Sequence, residues 1–401
     1  MMQTYSISRL LGIIYLILFF SGLLNAQDST RIQRCIRRLC SGEMAGRGYL
    51  YRGDRSAALY LVEEFRRAGL RPAGRSFLQE FPLVQNVFPG RPALFLNGRK
   101  LRPGRDFIPG PASPRIRGTF FLDSIPEKSG NQALLIKGKE PFRLRKGQPE
   151  PALLLRSASR LTHSLSEEQK GIPEIILLDS LLRPGDNRVR IALPAKVKKI
   201  KSYNVMGMVK GLTRPDSFLV VCAHYDHLGS FGKNVWFPGA NDNASGVALL
   251  LELARHIAEN PLPCSVLFVA FSGEEAGLNG SRFMAENPPV PLNAIRFLFN
   301  LDLLGFGEKG ATVVNASLHP AEFSRLQELN QKCSCLPEIK ARGKAANSDH
   351  YPFSEKGVPA FFMYLMGGPG HYHDVQDKPE TLSLRGMKGS FRLLLDFLKT
   401  F

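Results

Sequence analysis

A chain of 401 residues with 44% hydrophobic content can bury a large core, which excludes a disordered segment or a mini-domain held by disulfides. The formal charge of +18 comes from lysines and arginines dispersed along the chain, with modest clusters at 143–160 and 196–201. No nucleic-acid-binding motif accompanies them, so a solvated basic surface is expected rather than a nucleic-acid partner.

The N-terminal residues 1–26 read as a secretory signal. Arg9 supplies a short basic start, Leu10 to Leu24 is almost wholly apolar, and Ala26 is a suitable last residue before cleavage ahead of Gln27. The run is short for a membrane span, and no second apolar segment approaches about 18 residues. The mature chain is expected to be exported, periplasmic or extracellular, with no stable membrane span. Export permits disulfides. Cys222 and Cys264 sit in strand-like apolar runs and read as buried thiols, while Cys35 and Cys40 are awkwardly spaced within a helical segment, so no pairing is assigned.

Residues 28–70 read as helical. Ala58, Leu59, Leu61, Val62, Phe65 and Ala68 form a helical stripe that ends near Gly69. From about 85 to 199 proline and glycine are frequent and apolar runs are short. Asn97-Gly98 predicts a hairpin turn between Leu94–Leu96 and Leu101, and 133–136, 152–155 and 175–178 predict short strands. This stretch is expected to be a small β-rich insertion, a lid or spacer without chemistry of its own.

After residue 203 buried strands alternate with helices. The strands are predicted at 218–223, 265–271, 295–300 and 360–365, and a helix at 244–259 is stopped by Pro261. That alternation predicts an α/β fold, a three-layer α/β/α sandwich around a mixed, centrally parallel sheet. The catalytic domain is expected to comprise 27–84 and 200–401, with 85–199 inserted. In such sheets, sites form at the carboxyl ends of strands.

Five metal-ligand residue types stand at or near those ends: His224, Asp242, Glu275, Asp302 and His373. Two histidines and three carboxylates can hold two zinc ions if one carboxylate is shared. In the first motif, Ala223-His224-Tyr225-Asp226-His227-Leu228-Gly229, the Asp226 side chain is placed to hydrogen-bond the far nitrogen of His224. Asp242 precedes the 244–259 helix and would bridge the metals, although a bare helix cap is the plainer role for such a residue taken alone. Glu274-Glu275 after a buried strand is a costly pairing of like charges that nearby cations would offset. Glu275 would coordinate, and Glu274 would take the proton of the attacking water and pass it to the leaving amine. His371 and His373 compete for the fifth position. His350 or Tyr351 could stabilise an oxyanion, but a satisfied structural histidine is an equal expectation for His350.

In order and spacing these motifs resemble the zinc-dependent aminopeptidase family of the di-zinc exopeptidases, which also includes glutamate carboxypeptidase-like and glutaminyl cyclase-like branches. The resemblance covers about 200–390 closely and extends to Gly42–Gly48 and Ala57–Leu70. The insertion stands where relatives carry a protease-associated-like domain, without a match in detail. The resemblance implies one zinc on His224, Asp242 and Asp302, a second on Asp242, Glu275 and His373, and Glu274 as general base. It selects His373 over His371 because the terminal ligand lies four residues before an aspartate, here Asp377. It also implies a cis peptide after Asp242. The activity implied is removal of N-terminal residues from peptides. A glutaminyl cyclase is the nearest rival. Members of that branch place Trp before the terminal histidine, whereas this chain has Tyr372 there and its single Trp at 236. A carboxypeptidase, or a basic envelope-binding protein with a vestigial site, are further rivals.

Overall fold

The computed structural model describes residues 29–123, 132–137 and 150–401; the expected signal segment lies outside them. A nine-stranded sheet organises the molecule. Its order is Arg71–Pro72, Lys196–Val209, Cys264–Phe271, Arg214–His224, Ile295–Leu301, Ala360–Leu365, Ala311–Val314 and Ile339–Ala341, with Leu78–Val87 paired to Lys196–Val209. The four strands from Cys264–Phe271 to Ala360–Leu365 run parallel to one another. Antiparallel pairs flank them on both sides, so the sheet is mixed and centrally parallel.

A parallel sheet covered on both faces needs continuous apolar strands rather than alternating ones. Cys264–Phe271 meets that demand, with all eight residues buried. Because successive side chains point to opposite faces, each strand serves two cores. Leu219, Val221 and Ala223, with Val266, Phe268, Ala270, Phe297 and Phe299, pack beneath the helices Ser29–Leu39, Gly53–Arg67, Ser245–Glu259, Pro320–Cys333 and Met387–Leu398. Val220, Cys222, Leu267, Val269, Phe271 and Leu298 face the other way, against Met284 of Asn279–Glu286 and Phe353 of His350–Ser354. The result is a three-layer α/β/α sandwich. Helix Ser245–Glu259 buries a stripe of Val247, Leu250, Leu251, Ala254 and Ile257 and also Ala248, Leu249 and Leu253. Each valine, leucine or isoleucine side chain withdrawn from water contributes about 1.5–3 kcal/mol.

A second sheet of eight strands lies within residues 93–193. Ile116–Asp123, Gln132–Lys137, Leu153–Ala158 and Glu174–Leu178 are parallel to one another. The expected hairpin is present, with Ala93–Leu96 paired to Arg99–Leu101 and positive φ at both Asn97 and Gly98. The chain leaves the main sheet along Leu78–Val87 and returns along Lys196–Val209, and these strands pair over ten residues. The two sheets are not independent. Leu228, Phe231 and Phe237, from the loop after Arg214–His224, pack into the second sheet's core with Phe88 and Phe107. Phe231 meets both rings edge-on, at 6.2 and 5.7 Å between centroids.

Cys333 and Cys335 form a disulfide across Ser334, a pairing not expected from the sequence. Cys35, Cys40, Cys222 and Cys264 are free and buried. Among the described residues, no helix is long and apolar enough to cross a membrane.

Candidate metal centre

The parallel strands end on one side of the sheet, and the loops that follow them carry the candidate residues. His224 is the last residue of Arg214–His224. Glu274 and Glu275 follow Cys264–Phe271, and Asp302 follows Ile295–Leu301. Asp242 lies in an irregular turn just before helix Ser245–Glu259, and the Asp242–Asn243 peptide is cis, as the resemblance implied. Gly239 opens that turn at φ 61°. A Cβ there would stand 2.2 Å from the Asp242 carbonyl and 2.4 Å from the His227 ring, so only glycine fits.

The five expected ligands converge in two groups. Nε2 of His224 lies 3.3 Å from Oδ1 of Asp242 and 3.3 Å from Oδ1 of Asp302. Nε2 of His373 lies 3.2 Å from Oδ2 of Asp242 and 3.1 Å from Oε2 of Glu275. Asp242 therefore offers one oxygen to each group. Four atoms placed tetrahedrally around a zinc ion at about 2.0–2.1 Å stand about 3.3 Å apart, the spacing seen here. Glu274 brings a carboxylate oxygen within 4.8 Å of the donor atoms of His224 and Asp302. His371 has no such contact; it lines a neighbouring cavity with Tyr372 and Phe306.

The atoms that do not face inward are held by neighbours. Nδ1 of His224 is 3.3 Å from the Asp226 carbonyl. Nδ1 of His373 is 2.9 Å from the His163 carbonyl, which can only accept, so that nitrogen carries the proton. Oδ2 of Asp302 accepts from Ser348 at 3.1 Å, and Asn300 donates to Ser348 in turn. Oε1 of Glu275 accepts from Nδ1 of His227 at 2.6 Å. Asp377 accepts the main-chain N–H groups of Asn241 and Asp242, fixing the turn that carries the carboxylate common to both groups.

Asp226 departs from its expected contact. Its carboxylate is 3.8 Å from Nδ1 of His224, too long for a hydrogen bond. Stronger partners hold it elsewhere: it accepts from the Tyr49 hydroxyl at 2.6 Å and from the main-chain N–H groups of Glu274 and Glu275. The residue therefore braces the Glu274–Glu275 turn, and its carbonyl rather than its carboxylate faces the histidine. His350 is buried with its ring 5.4 Å from that of Phe362, and Tyr351 lies under the Lys344 ammonium at 5.7 Å.

Electrostatics favour added cations. Burial works against the charged form of His373, but Glu275 and Asp242 outweigh it and raise the ring to about 11. His224 is raised well above the ordinary range, with Asp302 and Glu274 overcoming its burial. Burial pushes the Glu274 carboxyl well up; His224 pulls it down, and Glu275, Asp349 and Asp302 push it further up. Such a cluster holds more carboxylate than its histidines can balance, and divalent cations relieve the excess.

Four contributors lack a sequence signal of their own or were given no role. Arg47 is fully buried and donates to the carbonyls of Leu39, Tyr225, Pro238, Gly239 and Asp242. It ties the N-terminal segment to the turn of Asp242. His163, from the second sheet's side of the molecule, exchanges two main-chain contacts with His373 and stacks on Phe237 at 4.9 Å. His227 stands in the first motif beside Asp226, and Asp377 lies four residues after His373.

Residues 204–398 match peptidase family M28. A probable zinc metalloprotease of Pyricularia oryzae is 40% identical over 118 residues, which are 29% of this chain and 22% of the relative. Aminopeptidase YwaD of Bacillus subtilis is 26% identical over 240 residues, 56% of this chain and 50% of the relative. The chain thus spans half or less of these relatives' lengths. Among solved structures, a zinc aminopeptidase from Bacillus subtilis superposes with a TM-score of 0.69 at 19% identity, covering 92% of this chain and 94% of the other. An aminopeptidase from Aneurinibacillus sp. strain AM-1 gives 0.65 at 18% identity, covering 94% of each chain. At these identities the likeness is one of fold.

Proposed function

Residues 204–398 belong to peptidase family M28, and from that premise we propose that the protein is an exported di-zinc metallopeptidase, an aminopeptidase that removes N-terminal residues from peptides. The observation that carries this reading is the convergence of five donor side chains into two groups at 3.1–3.3 Å, with Asp242 common to both. The donor chemistry fits zinc, which favours imidazole and carboxylate in four-coordinate sites. His224, Asp242 and Asp302 would hold one ion, and Asp242, Glu275 and His373 the other. When bound, the ions would polarise the scissile carbonyl and make the attacking water acidic.

The chain's own groups supply the rest. Glu274 accepts the proton of the attacking water and delivers it to the leaving amine. Asp226 fixes the main chain of Glu274 and Glu275, so that base and ligand keep their separate directions. Outer partners such as Ser348 and the His163 carbonyl hold each ligand in one orientation. Retention of all five donors supports a catalytic rather than a vestigial site, and His224 and Asp302 as a complete second set favour the peptidase over a one-zinc cyclase.

The proposal includes the division into a signal at 1–26, a catalytic domain of 27–84 and 200–401, and an insertion at 85–199. It places the mature protein in the periplasm or outside the cell, acting on peptides without nucleic acid. The test is hydrolysis of aminoacyl-anilides compared with their N-acetylated forms. Release of free amino acid only from substrates with a free amine supports the aminopeptidase. Cleavage at a C-terminal residue, or pyroglutamate formation from N-terminal glutamine, would contradict it.

A further inference from the structure

One fully buried histidine at the centre lies outside the two groups of donors spaced at 3.1–3.3 Å, although one of its nitrogens comes within 4.8 Å of donor atoms of Asp242 and Glu275. His227 sits three residues after His224, just past the strand end, with no exposed surface. Its Nδ1 is 2.6 Å from Oε1 of Glu275, and its Nε2 has no hydrogen-bond partner. We infer that His227 is a positioning residue for the second ion, locking Glu275 as a one-oxygen ligand with Oε2 turned toward His373. This inference rests on the di-zinc reading.

Distances separate positioning from coordination. Donor atoms sharing one tetrahedral zinc stand about 3.3 Å apart. Oε2 of Glu275 and Nε2 of His373 keep that spacing, at 3.1 Å. Nδ1 of His227 and Oε1 of Glu275 are closer, at the length of a charge-assisted hydrogen bond. The two histidine rings stand edge to face with centroids 6.0 Å apart, each addressing a different oxygen of the same carboxylate. Without the His227 donor, Glu275 is free to rotate, to present both oxygens or to turn away.

His227 is itself held. Its main-chain N–H reaches the Arg47 carbonyl at 3.4 Å, and the ring fills the space beside Gly239 that a Cβ would need. The donor therefore stands where it is placed by the same buried arginine that holds the Asp242 turn.

Substitution can move the donor without removing bulk. Asparagine places its amide nitrogen near the Nδ1 position of histidine, glutamine places it near Nε2, and leucine has no donor. Metal-free protein is titrated with zinc against a chromophoric chelator, with the thermal midpoint of each metal-free variant recorded alongside. Wild type should bind two ions. His227→Leu should weaken one of them by about 10- to 100-fold and leave the other unchanged. His227→Asn should stay within about threefold of wild type. Should the leucine variant fail to fold, His227→Gln stands in for it and should show the same selective weakening. Wild-type affinity for both ions in the leucine or glutamine variant overturns the inference. So does equal loss in the asparagine variant, since that makes His227 a ligand or a packing element. Fewer than two ions on the wild type would instead overturn the di-zinc reading.

Discussion

Replacing Arg47 by methionine should unfold the scaffold of the site from behind. The guanidinium is fully buried and gives five hydrogen bonds, at 2.6–3.2 Å, to carbonyls of Leu39, Tyr225, Pro238, Gly239 and Asp242. Methionine matches much of the bulk and none of the donors. A hydrogen bond to a charged group contributes about 1.5–3 kcal/mol, and an orphaned buried acceptor costs about 1–3 kcal/mol. Five bonds cannot simply be summed, because they share one donor group and carbonyls can find other partners. Even so, the loss should be at least about 4 kcal/mol, a large part of the 5–15 kcal/mol typical of a folded protein. Replacing both partners of a buried polar contact can be neutral, but here the five carbonyls remain. Arg47→Lys should fall between, since one ammonium has three donors and one reach. Urea unfolding of the metal-free variants measures the difference. A loss of under about 1 kcal/mol in Arg47→Met, with wild-type zinc affinity, would refute the assignment of Arg47 as the tie between the N-terminal segment and the Asp242 turn.

Three further outcomes follow from the same geometry. Glu274→Gln should keep the zinc content of wild type and lose turnover by at least about 100-fold, the range of a positioned general base; a variant with wild-type kcat removes Glu274 from that role. Burial raises the Asp54 carboxyl to about 6 from an ordinary 3.8, against a hydrogen bond from Ser202. A carboxyl raised on folding stabilises the fold fully below about pH 4 and loses that contribution as pH rises through about 6, some 3 kcal/mol in all. The thermal midpoint of metal-free Asp54→Asn should therefore fall less between those pH values than that of wild type, and parallel curves contradict the assignment. Finally, zinc added to metal-free protein should slow hydrogen exchange at the main-chain N–H of His163, which donates to the His373 carbonyl at 3.0 Å. Protection confined to the main sheet and its loops would show that the contact does not transmit the ion's hold on His373.

The main sheet was legible because its parallel strands are buried on both faces and so read as unbroken apolar runs. Helix Ser245–Glu259 was legible because its stripe precedes a stopping proline. The ribbon of Leu78–Val87 and Lys196–Val209 was hidden by its exposure. Along 196–201 the order Lys-Val-Lys-Lys-Ile-Lys breaks a period-two alternation, so the start of the strand presents itself as a basic cluster. Short strands such as Ala311–Val314 and Ile339–Ala341 are too brief to carry a period.

At the site, the proposed ligands were visible as metal-binding residue types at or near strand ends. The residues that aim them were not. The spacing of Asp226 predicts a partner in the His224 ring, but spacing cannot say which neighbour a carboxylate will choose when Tyr49 and two main-chain N–H groups converge on it. His163 touches His373 from 210 residues away through its main chain, and no side-chain chemistry announces such a contact. His227 stood inside a motif already noted, yet only the distance to Glu275 separates its role from that of a ligand.

The central claim is that one chain holds two ions through a shared Asp242. Elemental analysis of the purified protein after dialysis against metal-free buffer tests it most directly. About two zinc ions per wild-type chain, falling to one or none in Asp242→Ala, is the predicted result. One zinc in the wild type, or two retained without Asp242, would contradict it.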